Sequence, residues 1–344
     1  MKRWPAAEQR LYLANMLWSR LLCTFRSKPA SVRHILCVKL DEIGDMATAL
    51  HVFDHLRARY PEAHISVLCK PFNAALLKNQ PAVDHVFCDP AEWTRRYDLV
   101  VEMRGNWQTL WKSLRFLPRY RVDRGTVRFR QRGAQPHELI TNFRIIEPLM
   151  PPGTETGKPR LAIDPEAARD IAAWLESQPL QRFCVLHTGA RRRLRQWPPE
   201  RFARLAEFLH ARYGLAAVLI GSADEHPGLQ ALSAQIESPH FILPPAFGLG
   251  HLVALLARAE LFVGNESGPL HLACAVNIPS VGIYGPGVKD VFYPWAERSA
   301  YVHHILDCNP CDQIHCVFPE QPCIARATEA EVQAAVARVL GVAG

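Results

Sequence analysis

The sequence predicts an α/β protein with two doubly wound domains in tandem. Short apolar runs of strand length alternate with longer helical stretches along most of the chain, which is typical of parallel sheets covered by helices. The length of 344 residues exceeds that of one ordinary domain. Residues 151–160 are rich in Pro, Gly and Thr and therefore predict a linker between the two alternating halves.

Composition and charge narrow the class of protein. Hydrophobic residues make up 49% of the chain and charged residues 21%, so two buried cores can form. The formal net charge is +7, and seven Lys or Arg lie in residues 1–35, seven Arg in 115–132 and four Arg in 191–195. Such clusters favour anionic partners: nucleotide phosphates, acidic sugars or phospholipid. Nucleic acid is disfavoured because no binding motif accompanies the charge.

Hydropathy and cysteine usage favour a protein of the reducing cytoplasm. No run of 18 apolar residues predicts a membrane-spanning helix. Six cysteines lie singly in apolar runs, as buried thiols do in cytosolic α/β proteins. These six are Cys23, Cys37, Cys69, Cys88, Cys184 and Cys274.

Four further cysteines form a cluster of their own near the end of the chain. They are Cys308, Cys311, Cys316 and Cys323. Their number and proximity suit a metal, but the two knuckle pairs of a zinc ribbon are not both present. The cluster therefore predicts free or structural thiols without a catalytic role, and a metal site is the alternative.

Residues 1–30 predict an amphipathic N-terminal helix. Apolar residues that include Leu11, Leu17 and Leu21 recur at helical spacing, with Arg10 and Arg20 beside that stripe. Two interpretations stay open. The helix packs on its own domain, or it rests on an anionic membrane as an interfacial helix.

Residues 31–150 predict the first domain. A strand at 34–39 leads through the turn Leu40-Asp-Glu-Ile-Gly-Asp45 into one long helix at 46–60. The Arg-rich stretch 115–135 is polar and contains Gly, which predicts a surface loop. Further strands are predicted at 65–69, 84–88 and 99–103.

Residues 161–326 repeat this pattern as the second domain, and residues 327–344 predict a C-terminal helix. The predicted strands are 183–187, 217–220, 241–243, 261–263 and 281–284. The most informative stretch follows the fourth of these strands, where a Gly264-Asn-Glu-Ser turn feeds a helix that begins near Gly268. A turn of this kind directs backbone N–H groups and the positive end of the helix dipole at one point, which attracts phosphate.

Three motifs resemble those of the bacterial ADP-heptose:lipopolysaccharide heptosyltransferases. Gly264-Asn-Glu-Ser-Gly-Pro-Leu-His-Leu-Ala273 is similar to the family signature G-N-D-S-G-P-x-H-x-A, with Glu266 in place of the usual Asp. Val38-Lys-Leu-Asp-Glu-Ile-Gly-Asp45 and His187-Thr-Gly-Ala-Arg-Arg-Arg-Leu-Arg-Gln-Trp-Pro198 resemble two other segments of the family in order and spacing. The resemblance spans roughly residues 33 to 340.

The resemblance implies the glycosyltransferase B architecture. In that architecture two Rossmann-like domains form the active site in the cleft between them, and the C-terminal helix returns to the first domain. The implied reaction moves a sugar, heptose before others, from ADP-heptose to an anionic lipid-linked saccharide such as a lipopolysaccharide core, with inversion. No Asp-x-Asp motif accompanies the site, so we expect catalysis without a metal or other cofactor.

The resemblance also implies a cytoplasmic enzyme with peripheral contact to the inner membrane, and no nucleic-acid partner. Three alternative functions stay open: a transferase for another nucleotide sugar, a nucleotide-sugar 2-epimerase and a non-catalytic nucleotide-sugar binding protein. The change from Asp to Glu266 keeps the last alternative open.

On the donor side, the resemblance implies that Arg195 contacts the diphosphate, since the family has a basic residue before Gln-Trp-Pro. Arginine offers a planar, permanently charged fork to phosphate. Thr188 follows a strand, and Ser267 and Gly268 start a helix, so all three are expected to complete the phosphate site.

Four further side chains have alternative expected roles. Asp224 or Glu225 is expected to accept hydrogen bonds from ribose hydroxyls, and helix capping by Asp224 is the alternative. Glu266 either steers a sugar or stabilises the helix start as an anion. His271 is either a structural histidine or part of the site that the signature marks.

On the acceptor side, Asp45 is the predicted general base, because inverting transfer needs one group to take the proton of the acceptor hydroxyl. The turn at Gly44 brings it to a helix start, a position that is expected to lower its pKa and keep it ionised. The alternative is that Asp45 only caps its helix. Lys39, Asp41 and Glu42 are its neighbours, and the two acids are the fallback bases.

Overall fold

The computed structural model of the chain describes residues 6–24, 26, 28–131, 136–309 and 311–341. It separates into two compact units, Met1–Ala162 and Ile163–Gly344, each with its own sheet. All nine strand pairings of the described residues are parallel. The predicted α/β fold with two parallel-sheet domains is therefore confirmed.

The sheet of the first unit has the strand order β3-β2-β1-β4-β5. Its strands are β1 (His34–Lys39), β2 (His64–Cys69), β3 (His85–Phe87), β4 (Leu99–Arg104) and β5 (Tyr120–Asp123). The order reverses at β1, so the residues that follow β1 and β4 meet at a topological switch point, where doubly wound sheets bind ligands. The β1–β4 register shifts after Val38 and places Lys39 opposite Arg104.

Seven α-helices lie in the described part of the first unit. They are α1 (Ala6–Thr24), α2 (Ile43–Ala47), α3 (Leu50–Arg59), α4 (Ala74–Leu77), α5 (Trp107–Phe116), α6 (Arg124–Arg130) and α7 (Glu138–Ile146). The single helix predicted over 46–60 is wrong, because the chain breaks it at Thr48. The Thr48 hydroxyl donates to the Asp45 carbonyl at 2.9 Å, and the Thr48 carbonyl accepts from the Asn142 amide at 3.2 Å. These bonds replace some of the main-chain hydrogen bonds that a continuous helix would have.

Helix α1 packs on α6 and β5. The face it turns to them buries Tyr12, Met16 and Leu22. The prediction that this helix packs on its own domain is thus confirmed for one face. No described helix of the chain is both long and apolar enough to cross a membrane.

The prediction of a surface loop over the Arg-rich stretch is wrong, because most of its described residues form β5 and α6. Arg121 is buried and donates to the Asn15 carbonyl at 3.1 Å and to the Ser19 hydroxyl at 2.5 Å. Arg124 is buried in an ion pair with Glu138. Acceptors on α1 and a carboxylate on α7 contact these guanidinium groups. These contacts offset the free-energy cost of removing the guanidinium groups from water.

The sheet of the second unit has the order β11-β10-β9-β6-β7-β8. Its strands are β6 (Phe183–His187), β7 (Ala216–Ile220), β8 (His240–Ile242), β9 (Leu261–Asn265), β10 (Ser280–Tyr284) and β11 (Ser299–His303). The order reverses at β6, so the residues that follow β6 and β9 share the switch point of this sheet. Strand β11 was not predicted, because its residues alternate between buried and exposed instead of forming a continuous apolar run.

The helices of the second unit are α8 (Pro165–Glu176), α9 (Pro199–Tyr213), α10 (His226–Ser233), α11 (Leu249–Leu256), α12 (Gly268–Ala275), α13 (Lys289–Phe292) and α14 (Glu329–Leu340). The expectation that the C-terminal helix returns to the first domain is wrong. Helix α14 packs on β10 and β11 and buries Val332, Val336 and Val339 in the core of the second unit. Its apolar stripe covers a sheet face that would otherwise be exposed to water.

Candidate functional site

The switch point of the first sheet holds a buried ion-pair chain. Lys39 ends β1 and contacts the Asp41 carboxylate, with 2.7 Å between Nζ and Oδ2. Arg104 ends β4 and contacts the other oxygen of Asp41, with 3.0 Å between Nε and Oδ1. Lys39 and Asp41 are both buried. Two cations therefore hold the Asp41 carboxylate.

Asp45 lies in the first turn of α2, beside this chain. Glu42 occupies the N-cap position and Asp45 comes three residues later, so the alternative that Asp45 caps the helix is wrong. Burial and the nearby Asp41 carboxylate raise the pKa of Asp45 to about 6, against the pull of Lys39. The expected lowering of this pKa is also wrong, because burial and a like charge outweigh the helix start.

The other two acids at this edge, Asp41 and Glu42, are held by cations. The Glu42 carboxylate lies 2.6 Å from Lys70 Nζ. Within the described ranges no Lys, Arg or His nitrogen lies at ion-pair distance from Asp45. Asp45 is also only half-buried, next to the buried Gly44. Of the three acids predicted here, Asp45 is therefore the best placed to take a proton from a bound hydroxyl.

At the switch point of the second sheet, Asn265 joins the residues that follow β6 to the end of β9. Asn265 is the last residue of β9. Its amide nitrogen donates to the Thr188 carbonyl at 2.7 Å, and its amide oxygen accepts from the Trp197 backbone at 3.0 Å. The Ser267 hydroxyl lies 2.9 Å from Nδ1 of His187, the last residue of β6. Burial lowers the pKa of His187 to about 4, so its ring is neutral near pH 7. These bonds join the two motifs that the sequence separates by about 80 residues.

The start of α12 is free of a side-chain cap from Ser267. That residue has the extended backbone of an N-cap, but its hydroxyl contacts His187 and the Asn265 carbonyl instead of a helix amide. Ser267 and Gly268 are half-buried. The first amides of α12 can therefore accept an anion from solvent.

Arg195 is held next to this helix start by two contacts. Its Nε donates to the Gln313 side-chain oxygen at 2.9 Å, and its NH1 lies 3.4 Å from Glu266 Oε1. Glu266 is buried, and burial raises its pKa while Arg195 lowers it. A Cβ atom added at Gly287 would overlap the Glu266 carboxylate, so the glycine provides the space for this pair. The Arg195 side chain is 26% exposed and keeps further N–H donors for a ligand.

Three other residues were predicted on the donor side, and the structure gives each of them a different environment. Glu225 bonds Ser222 in a capping box, and its carboxylate lies over Gly189 after β6, at the same edge as Thr188. Asp224 is exposed, and the alternative that it caps the helix is wrong because Ser222 holds the cap position. His271 is buried and stacks on Trp295, with 5.2 Å between the ring centroids. This packing supports the structural interpretation of His271.

The four clustered cysteines line one small cavity together with His315 and residues that include Leu194 and Pro286. All ten cysteines lie in the described ranges and none is in a disulfide. In those same ranges, no group of three or more His, Cys, Asp or Glu side chains is arranged to hold a metal ion. The cysteine segment carries Gln313 and so supports Arg195 from outside the motifs.

Three residues that organise the site were not predicted as site residues. Asn265 is part of the signature, and its position at the end of a strand is the sequence feature that could have identified it as a site residue. Gln313 and Gly287 lie 118 and 21 residues from their partners Arg195 and Glu266, and no local pattern marks them. Only the folded chain brings these side chains together.

Comparison with known proteins finds relatives of this chain in sequence and in fold. The sequence profile of glycosyltransferase family 9 (heptosyltransferase) matches residues 124–321, more than half of the chain. The lipooligosaccharide heptosyltransferase 2 of Haemophilus influenzae is 26% identical over 313 residues, which cover 79% of this chain and 89% of the relative. A family 9 glycosyl transferase structure from Veillonella parvula shares the fold with a TM-score of 0.77 and 18% identity over 91% of this chain and 99% of its own. The structure of the Escherichia coli ADP-heptose lps heptosyltransferase II has a TM-score of 0.72 and 20% sequence identity to this chain. The match covers 89% of this chain and 98% of that structure.

Proposed function

The chain belongs to glycosyltransferase family 9, and we propose that this glycosyltransferase moves heptose from ADP-heptose to an anionic lipid-linked saccharide of the lipopolysaccharide core type. The observation that carries the proposal is the joined switch point of the second sheet, where the family signature and the Arg195 motif meet through Asn265 and Ser267. The names of the relatives support heptose as the sugar and a lipid-linked core as the acceptor. Such an acceptor is anchored in a membrane, so the proposal includes a peripheral enzyme on the cytoplasmic side.

The donor is assigned to the second unit. Arg195, the Thr188 backbone and the α12 start at Ser267 and Gly268 would bind the diphosphate, since they present a guanidinium and backbone N–H groups at one sheet edge. Glu225 is the better candidate for the ribose hydroxyls, because its carboxylate already lies at the β6 edge. Glu266 would act through Arg195, which it orients at 3.4 Å.

The acceptor is assigned to the first unit, with Asp45 as base. The acceptor oxygen attacks the anomeric carbon and forms the new C–O bond while its proton passes to the Asp45 carboxylate. The bond between the anomeric carbon and the phosphate oxygen breaks, and ADP leaves with the bonding electron pair. Arg195 and the helix start would stabilise the charge that develops on that phosphate. Attack opposite the leaving group gives inversion.

The test is a transfer reaction with the full-length protein, ADP-heptose and a lipopolysaccharide core that lacks its heptose. We expect ADP release and a heptose mass increment on the core, both dependent on the acceptor. Binding of ADP-heptose without turnover would support a binding protein instead. Release of free epimerised sugar without acceptor would support the 2-epimerase, and a thermal-shift screen of nucleotide sugars identifies a different donor by mass-action stabilisation.

Replacing Gln313 by Ala is expected to weaken ADP binding by about 2- to 12-fold, the effect of one net hydrogen bond. The physical reason is that Arg195 loses the acceptor of its Nε and keeps its contact with Glu266. Isothermal titration with ADP measures the change, and Gln321→Ala in the same segment is the control. Equal affinity in the Gln313 variant would mean that Glu266 alone orients the guanidinium.

Serine substitutions of Cys308, Cys311, Cys316 and Cys323 are expected to lower the melting temperature before they change turnover. The thiols line a small, largely apolar cavity, and none is assigned to a reacting atom. Turnover with ADP-heptose and thermal melts of each variant make the comparison. Metal analysis of protein purified without chelator accompanies it, and a stoichiometric zinc or iron content would contradict the assignment as plain structural thiols.

A further inference from the structure

Helix α1 carries apolar side chains on two faces, and in the described part of the chain one of these faces is covered. On the outer face Leu13, Leu17 and Leu21 follow each other at four-residue spacing and are 41%, 55% and 57% exposed. A row of exposed leucines at helical spacing is typical of a surface that meets an apolar partner. The outer leucines therefore indicate an apolar phase that is not part of this chain's described structure.

Helix α5 presents a second apolar face of the same kind. Trp107, Trp111 and Leu114 are spaced by four and three residues and are 47%, 69% and 38% exposed. On the opposite face Thr109 and Ser113 are buried. An exposed tryptophan with an apolar neighbour one turn away is typical of surfaces that meet a membrane interface.

The two helices are neighbours. The Trp18 ring nitrogen of α1 donates to the Ser113 hydroxyl of α5 at 3.1 Å. Beyond the ends of both helices, Arg26 donates to the Pro118 carbonyl at 2.5 Å. The two helices therefore touch where Trp18 meets Ser113. We call Leu13, Leu17, Leu21, Trp107, Trp111 and Leu114 the α1–α5 patch.

Basic residues outnumber acids on the two helices of the α1–α5 patch. Arg10, Arg20 and Arg115 are exposed on these helices. The one acid in the described part of both helices is Glu8, which Arg104 pairs at 2.5 Å. A second copy of this chain would present the same cations against themselves, so self-association through the patch is unfavourable. Apolar side chains with flanking arginines instead match an anionic bilayer.

We propose that the α1–α5 patch docks the enzyme on an anionic phospholipid surface, with Trp111 and the three leucines in the interface and the arginines at the headgroups. The inference deepens the proposed function, since a lipid-linked acceptor lies on such a surface. It extends the predicted interfacial role of residues 1–30 by assigning half of the contact to α5. Docking through two helices also fixes the orientation of the first unit relative to the bilayer, which a single helix does not.

The test is flotation of the full-length protein with phosphatidylcholine vesicles that either contain or lack phosphatidylglycerol, without donor or acceptor. We expect binding only to the anionic vesicles and a blue shift of tryptophan emission on binding. The double variant Leu17→Ser/Trp111→Ser should lose roughly tenfold or more of the partitioning, because two apolar anchors are removed. The control Ile163→Ser/Ile305→Ser removes apolar residues that are 42% and 64% exposed in the second unit and should bind like the parent.

Equal vesicle binding of the patch variant and the parent, or no binding by the parent, would overturn the proposal. A parent that is dimeric in solution and a patch variant that is monomeric would instead make the patch a protein interface. Because flotation uses no substrate, its outcome is independent of the transfer reaction. Transfer to a deacylated, water-soluble core should be unchanged in the patch variant, and vesicle binding without any transfer would contradict only the proposed function.

Discussion

Asp45→Asn is expected to lower heptose transfer by on the order of 10²–10⁴-fold, the usual effect of removing a positioned base. Asparagine keeps the shape of the side chain but cannot take the acceptor proton. ADP affinity should stay at the parent value, because the donor residues lie in the second unit. Transfer assays and ADP titration measure the two quantities. Asp54→Asn on α3, where burial also raises the pKa of an acid, is the matched control and should transfer normally.

The pKa of Asp45 adds two readouts that a merely structural acid would not give. Because burial raises this pKa to about 6, kcat/KM should rise with pH through about 6 and level off above it. The folded pKa exceeds the unfolded value of 3.8, so the ionised form destabilises the fold above both values and the cost disappears below them. The Asn variant should therefore melt no lower than the parent near neutral pH.

A transfer rate of Asp45→Asn close to that of the parent would contradict the assignment. The base would then be sought among Asp41, Glu42 and Glu266 by the same substitution to the amide. A cation holds each of these three carboxylates at 2.6 to 3.4 Å, so we rank all three below Asp45. A loss of activity together with a large drop in melting temperature would indicate a structural role.

Arg195→Ala is expected to weaken ADP binding by about 10- to 150-fold, which corresponds to roughly 1.5–3 kcal/mol for hydrogen bonds to a charged group. The side chain is already oriented by Gln313 and Glu266, so binding costs little ordering of the guanidinium. Isothermal titration with ADP gives the affinity. Arg193→Ala, an exposed cation of the same 3₁₀ turn, is the control and should change affinity little.

A second variant separates the two ways in which Arg195→Ala can act. Without its cation, the buried Glu266 carboxylate would face the diphosphate as an uncompensated anion. The double variant Arg195→Ala/Glu266→Gln removes that charge. Affinity that stays low in the double variant means that Arg195 itself binds phosphate, and affinity that returns to the parent value means that Arg195 acts only by neutralising Glu266.

The element pattern was determined locally and could be predicted. Strands such as 183–187 and 34–39 are continuous apolar runs, because parallel strands covered on both faces bury every side chain. The motifs were predictable for the same reason, since a ligand edge follows directly after a strand. β5 escaped prediction because Arg121 and Asp123 alternate with apolar residues, and only Asn15, Ser19 and other distant partners make that alternation compatible with burial.

By itself, the sequence determined that the chain is a two-domain α/β protein and which residues follow its strands, because both depend on neighbours within a few positions. The tertiary structure alone decided what those residues can do. It joined His187 to Ser267, gave Arg195 its partner Gln313, and raised rather than lowered the pKa of Asp45. Electrostatic energies depend on burial and on charges that are close in space, and residues distant along the chain supply both.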